Sequence, residues 1–227
     1  MADTGARGLQ PTIRGTRRDI LVACRQSSVR GCFDSWARFT RRRRPRERWD
    51  DIVTVFGRRG NDPGWCWCQR FMDPQLDGVA LTNNRDALHE EIESSSVPPG
   101  VLAYVDATAA GWARVMPRSA VPLVQRNHAL RRILDDDPGV WWITCFVVDQ
   151  RHRSLGVATA LLEAAVVHAA AHGAAALEGH PVDVVALKAE RVSGSALFTG
   201  TMRTFVACGF REIGRTYPSQ PVMRRDF

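Results

Sequence analysis

Hydrophobic positions change period along the second half of the chain, and the change marks out its elements. Residues 141–148 (Trp-Trp-Ile-Thr-Cys-Phe-Val-Val) form a near-continuous apolar run with β-branched members, which predicts a buried strand. A basic turn follows, from Asp149 to a lone glycine, Gly156. Residues 159–172 are alanine-rich and predict a long helix closed by Gly173. Upstream, residues 100–106 and 110–116 are apolar segments joined by a short turn, which predicts a hairpin. Residues 84–94 predict a short helix with Leu88 and Ile92 inward, broken by the Ser-Ser-Val-Pro-Pro-Gly run at 95–100. Residues 123–134 predict another helix, stopped by Asp-Asp-Asp-Pro-Gly at 135–139. Residues 51–56 and 65–71 read as strands around a turn-rich stretch at 57–64. An antiparallel hairpin followed by a β-α-β crossover gives an α/β fold with a mixed sheet.

The strand-turn-helix at 141–172 has a chemical consequence. It sets the backbone N–H groups of residues 155–159 at the positive end of a helix dipole, a site suited to phosphate oxygens. Gly156 lets the backbone approach a bulky anion, and Ala158 keeps the first turn free of bulk. A plain strand-to-helix connection would look similar. A P-loop is excluded, because the single lysine, Lys188, follows no such glycine. The dinucleotide fingerprint needs three spaced glycines where this turn has one.

Arg153, Gly156 and Ala158 stand at the spacing of the acetyl-CoA motif of the GNAT N-acetyltransferase superfamily, which this stretch resembles. The hairpin resembles that fold's second and third strands, and residues 175–181 look like its next parallel strand. Residues 194–210, ending in Gly209-Phe210, resemble its last helix. The stretch from Trp49 to Arg224 is similar to an actinobacterial-type subgroup, through Gly64-Trp-Cys-Trp-Cys68, Pro117-Arg118, the run at 178–183 and Phe198-Thr-Gly200. The resemblance implies a mixed, mainly antiparallel sheet with a parallel splayed strand pair and flanking helices. It also implies acetyl-CoA as co-substrate, on Arg153, Ser154, Leu155, Gly156, Val157, Ala158 and Thr159. Its pantetheine arm would add to the strand edge at Phe146, Val147 and Val148, where a backbone N–H would polarise the thioester.

Composition narrows the rest. A chain of 227 residues, 44% hydrophobic, suits one core plus an extension. No apolar run nears the roughly 20 residues that span a bilayer, so no membrane contact is expected. Residues 1–21 hold arginines but no apolar segment, which argues against a secretory signal. Six cysteines do not suggest a disulfide scaffold, and a reducing cytoplasm is the expected compartment. The net charge is +7, and residues 1–60 hold fifteen arginines against six acidic residues, leaving the remainder about neutral. Residues 1–46 are therefore read as a basic N-terminal extension, disordered or partly helical (21–44), and 47–227 as the GNAT-like domain. The arginine run at 41–48 fits nucleic-acid binding, but sparse aromatics favour a solvated extension or a start codon read too far upstream. Monomer and homodimer both remain open.

The expected reaction is transfer of an acetyl group to a primary amine, on a small molecule or a protein lysine, by direct attack in a ternary complex. Positioning would carry most of the rate. The tyrosine often used as acid by the superfamily is Phe205 here, and Trp142 stands near the usual glutamate. Glu178 and His180, at the end of the second parallel strand, are the candidate bases, with Tyr217 a remote choice of acid. Cys66-Trp-Cys68 lacks the second ligand pair of a zinc site and reads as packing plus a wall of the acceptor pocket. A Cys145, His180, Asp183 triad is the weaker alternative. The rival function is a non-catalytic acyl-CoA-binding regulatory module whose basic extension contacts nucleic acid.

Overall fold

The apolar runs assemble into one seven-stranded sheet, seen in a computed structural model that describes residues 20–23, 48–57, 62, 64–72, 83–187 and 196–227. The strands are β1 (Ile20–Ala23), β2 (Gly100–Val105), β3 (Thr108–Pro117), β4 (Val140–Val148), β5 (Ala176–Gly179), β6 (Arg211–Tyr217) and β7 (Gln220–Asp226). Their order is β1-β2-β3-β4-β5-β7-β6. The pair β4/β5 is parallel and the others are antiparallel. The helices are α1 (Trp49–Phe56), α2 (Asn84–Ser94), α3 (Pro122–Arg126), α4 (His128–Arg131), α5 (Val157–Ala171) and α6 (Met202–Ala207). This is the mixed, mainly antiparallel architecture expected.

Strand alternation divides the core between the two faces of the sheet. Val101, Ala103 and Val105 of β2 pack under α5 and α6, while Leu102 and Tyr104 face α1 and α2. Helix α5 turns Val157, Leu161, Leu162 and Ala165 inward. It lies so close that a Cβ at Gly111 would sit 2.8 Å from Val157 Cγ1 and 2.9 Å from Leu161 Cδ1. A third cluster, around Met116, Trp142, Val124 and Leu130, lies under α3 and α4.

Several expectations change. Residues 51–56 are helical, because Ile52, Val55 and Phe56 recur at helical spacing and are buried together. Residues 65–71 are turns: Trp67 and Cys68 have φ of 33° and 58°, outside strand geometry. Trp67 is fully buried and stacks on Phe56, with 4.2 Å between centroids. Cys68 is joined by a disulfide to Cys145, 77 residues away, where no disulfide was expected. The helix expected at 123–134 is two short helices, α3 and α4, divided at Asn127, which caps the second. Residues 21–23 belong to strand β1, paired with β2, and not to a helix. The rest of the expected 21–44 helix lies outside the described residues. The closing hairpin β6/β7 had no counterpart in the sequence reading.

One buried group sets a pH dependence. His168 of α5 is 1% exposed, with Nε2 3.0 Å from the Pro98 carbonyl. Burial, aided by nearby His172, pulls its pKa down to about 4. The unfolded chain takes up this proton near 6.5 and the folded chain near 4, so stability holds above pH 6.5 and declines as pH falls toward 4. We expect a loss of about 2 kcal/mol between pH 7.5 and 5 in urea unfolding, absent from His168→Gln. Equal pH slopes in the two proteins would contradict this.

Candidate functional site

The connection from β4 to α5 is an exposed turn that ends on a glycine. Asp149 caps a short 3-10 turn (Gln150–His152), accepting from Arg151 N, and Arg153, Ser154 and Leu155 stay exposed. Arg151 also holds the Asp149 carboxylate at 3.0 Å and keeps its pKa low, so that negative charge is offset beside the turn. Gly156 takes the left-handed conformation, φ 88°, as N-cap of α5. A side chain there would be strained. No acidic residue stands in the first turn of α5.

The two parallel strands separate because β4 carries a bulge. Arg114 faces Cys145 and Val115 faces Ile143, leaving Thr144 as an extra residue. A bulge bends and twists its strand. Pairing of β4 with β5 stops at Ile143 opposite Gly179, just before it. Beyond that point the edge of β4 is partly taken: Phe146 N–H donates to the Phe198 carbonyl at 2.6 Å. With Phe198 in this place, Phe146 N–H is not open to a thioester, although it was an expected partner of the pantetheine arm.

The candidate bases end up in different surroundings. Glu178, in β5 opposite Trp142, is 0% exposed. Its Oε2 accepts from Arg118 Nη1 at 2.7 Å and its Oε1 from Arg224 Nη1 at 3.0 Å. Asp135 joins the same cluster, 2.9 Å from Arg118 and 2.7 Å from Arg224. Burial raises the Glu178 pKa against the pull of the two guanidinium groups. His180, one residue past Gly179, reaches the cleft surface, with Nε2 2.8 Å from Thr216 Oγ1. Burial lowers its pKa, so the imidazole is neutral at neutral pH.

The triad is not assembled. Cys145 is in the disulfide, and Asp183 is paired with Arg215 at 2.8 Å. Tyr217 is 68% exposed, and Tyr104 gives its hydroxyl to Asp51 at 2.7 Å. Phe205, which stands where the resemblance led to the expectation of a tyrosine, is fully buried, edge-on to Phe146 and filling the space a Cβ at Gly179 would need.

A cleft of about 580 Å³ opens beside the strand separation. His180 lines it together with Cys66, Arg70, Phe71 and Asn84, and residues of α3 and α4 complete it. Phe71 stacks on Phe198, 6.0 Å between centroids, which joins the cleft to the edge of β4. The cleft begins at His180, just past the last β4/β5 pair, and the exposed N-terminus of α5 follows β4 in the chain. Arg70, Asn84 and Arg126 carried no signal in the sequence, since each lies on a different segment.

The family model described as Acetyltransferase (GNAT) family matches residues 61–188, more than half of the sequence. The chain belongs to the GNAT acetyltransferase family. That family transfers acetyl groups and uses acetyl-CoA. No curated protein matches the chain. Among solved structures, an N-acetyltransferase from Staphylococcus aureus Mu50 has a TM-score of 0.47 at 14% identity, over 92% of this chain and 98% of that one. A GCN5-related N-acetyltransferase from Kribbella flavida gives 0.47 at 17%, over 92% and 98%. A structure from Salmonella typhimurium with its cofactor acetyl-CoA gives 0.45 at 12%, over 80% and 89%. Among the described residues, no helix of this GNAT protein is long and apolar enough to cross a membrane.

Proposed function

We propose that this protein is an acetyl-CoA-dependent N-acetyltransferase that acts on a primary amine by direct attack in a ternary complex. The observation that carries this reading is the bulged, separated end of β4. It leads into the glycine-capped, exposed N-terminus of α5, and its edge is linked through Phe198 and Phe71 to a cleft lined by His180. The turn at 153–159 receives the pyrophosphate, and Gly156 leaves room for it. Along β4 the N–H groups alternate in direction, so Val148 points its N–H the same way as Phe146 and is the donor left for the pantetheine arm.

The amine enters from the cleft, where His180 accepts its proton, directly or through water. A thiolate is a good leaving group, so a buried Phe205 in place of a tyrosine is compatible with turnover. Glu178 serves as the buried counter-ion of Arg118 and Arg224, with no open path to the amine.

Gly156→Glu tests the cofactor end of the site. It places a carboxylate where the pyrophosphate binds and should weaken acetyl-CoA binding at least tenfold in calorimetry, about 1.4 kcal/mol. Gly156→Ala, which adds the backbone strain without the charge, should lose less. Unchanged affinity in Gly156→Glu would place the cofactor elsewhere.

A further inference from the structure

Among the described residues, the charged lining of the cleft has one sign: Arg70 and Arg126 both reach it and are exposed, and no described carboxylate lines it. Among the described residues neither arginine is in an ion pair, whereas Arg114, Arg118, Arg151, Arg211, Arg215 and Arg224 all are. The Arg70 guanidinium lies over the Phe198 ring, 5.2 Å from the centroid, which favours this position beside the edge of β4. A second observation points to the other end of a ligand. Asn84 lines the same cleft at 5% exposure, and its amide nitrogen donates to the Trp65 carbonyl at 2.8 Å. Its Oδ1 is buried and has no hydrogen-bond partner among the described residues. A buried acceptor without a donor is costly, and an ammonium or amide N–H from a ligand would satisfy it.

We propose that the acceptor is a small amine that also carries an anionic group, a carboxylate or a phosphate, with the anion held by Arg70 and Arg126 and the nitrogen near Asn84 Oδ1 and His180. This rests on the acetyl-transfer reading and adds its substrate class. The volume of the cleft falls in the range of small-molecule sites. Guanidinium groups suit both anions, through paired N–H donors. A free amino acid or an aminoalkyl phosphate has both features, and an amine without an anion leaves the two arginines unused.

The test is thiol release from acetyl-CoA with matched pairs of amines: amino acids against their carboxamides, and O-phosphoethanolamine against ethanolamine. In at least one pair the anionic member should have a kcat/KM tenfold or more above its neutral partner, and the pair that responds tells carboxylate from phosphate. In Arg70→Gln and Arg126→Gln that ratio should fall toward one through a raised KM, with acetyl-CoA affinity in calorimetry unchanged. Equal kcat/KM within every pair that turns over, or a ratio untouched by both substitutions, overturns the anionic acceptor and leaves acetyl transfer standing. If no amine is turned over, acetyl transfer is the reading that fails, and binding alone decides the anion site. Inorganic phosphate and the amino acids should then raise the melting temperature of the wild type but not of the Arg70→Gln, Arg126→Gln double variant, and an equal response in both overturns the site.

Discussion

Glu178→Ala is expected to cost about 3–5 kcal/mol of stability, because it leaves buried positive charge without its partner. Arg118 is 4% exposed, and Glu178 takes one N–H from it and another from Arg224. Arg118 keeps bonds to the Asp135 carboxylate and to the Asp137 carbonyl at 3.2 Å, so the loss is partial and not a collapse. Urea unfolding measures it directly. Glu178→Met combined with Arg118→Met should recover much of the loss, since an apolar pair of similar volume removes both charges. Glu178→Gln separates this role from catalysis: it should destabilise with little change in kcat. A variant of near wild-type stability whose turnover falls a hundredfold would instead restore Glu178 as the base.

His180→Gln should lower kcat by roughly 10²-fold or more on the true acceptor while sparing acetyl-CoA affinity. The sign of the pH dependence follows from the site. Burial holds the His180 pKa below its usual 6.5, so the imidazole is a competent base at neutral pH and activity falls only as pH drops below that value. The acidic limb of the wild-type kcat profile should vanish in the variant. An unchanged limb would show that another group takes the proton.

The parts of this molecule written in local sequence were legible. The apolar run of β4, the alanine-rich α5 and the glycine between them are consecutive, and period and turn chemistry fix them. Helix α2 kept its two inward residues, Leu88 and Ile92. Residues 51–56 misled because Ile, Val and Phe favour strands, yet their i, i+3, i+4 spacing was the helical signal. Residues 65–71 misled because strand alternation was read where positive φ angles at Trp67 and Cys68 make turns. The pairing of Glu178 with Arg118 and Arg224 joins residues 60 and 46 positions apart, and nothing local announces it. The cleft is the extreme case. It draws on residues from Cys66 to His180, so its charge was invisible until the chain was folded.

The strand order gives the protein a particular order of assembly. β7 lies between β5 and β6, so residues 220–226 fill an interior place in the sheet. Until they have been synthesised, β5 pairs with β4 alone, and its other edge presents unpaired backbone groups that invite association with other chains. Contacts of such long sequence separation also slow folding. The nascent protein therefore waits, with the strand that leads to His180 uncovered on one edge, for residues 220–226 to leave the ribosome. Shortening β7 would strike an interior strand and leave both β5 and β6 without their shared neighbour.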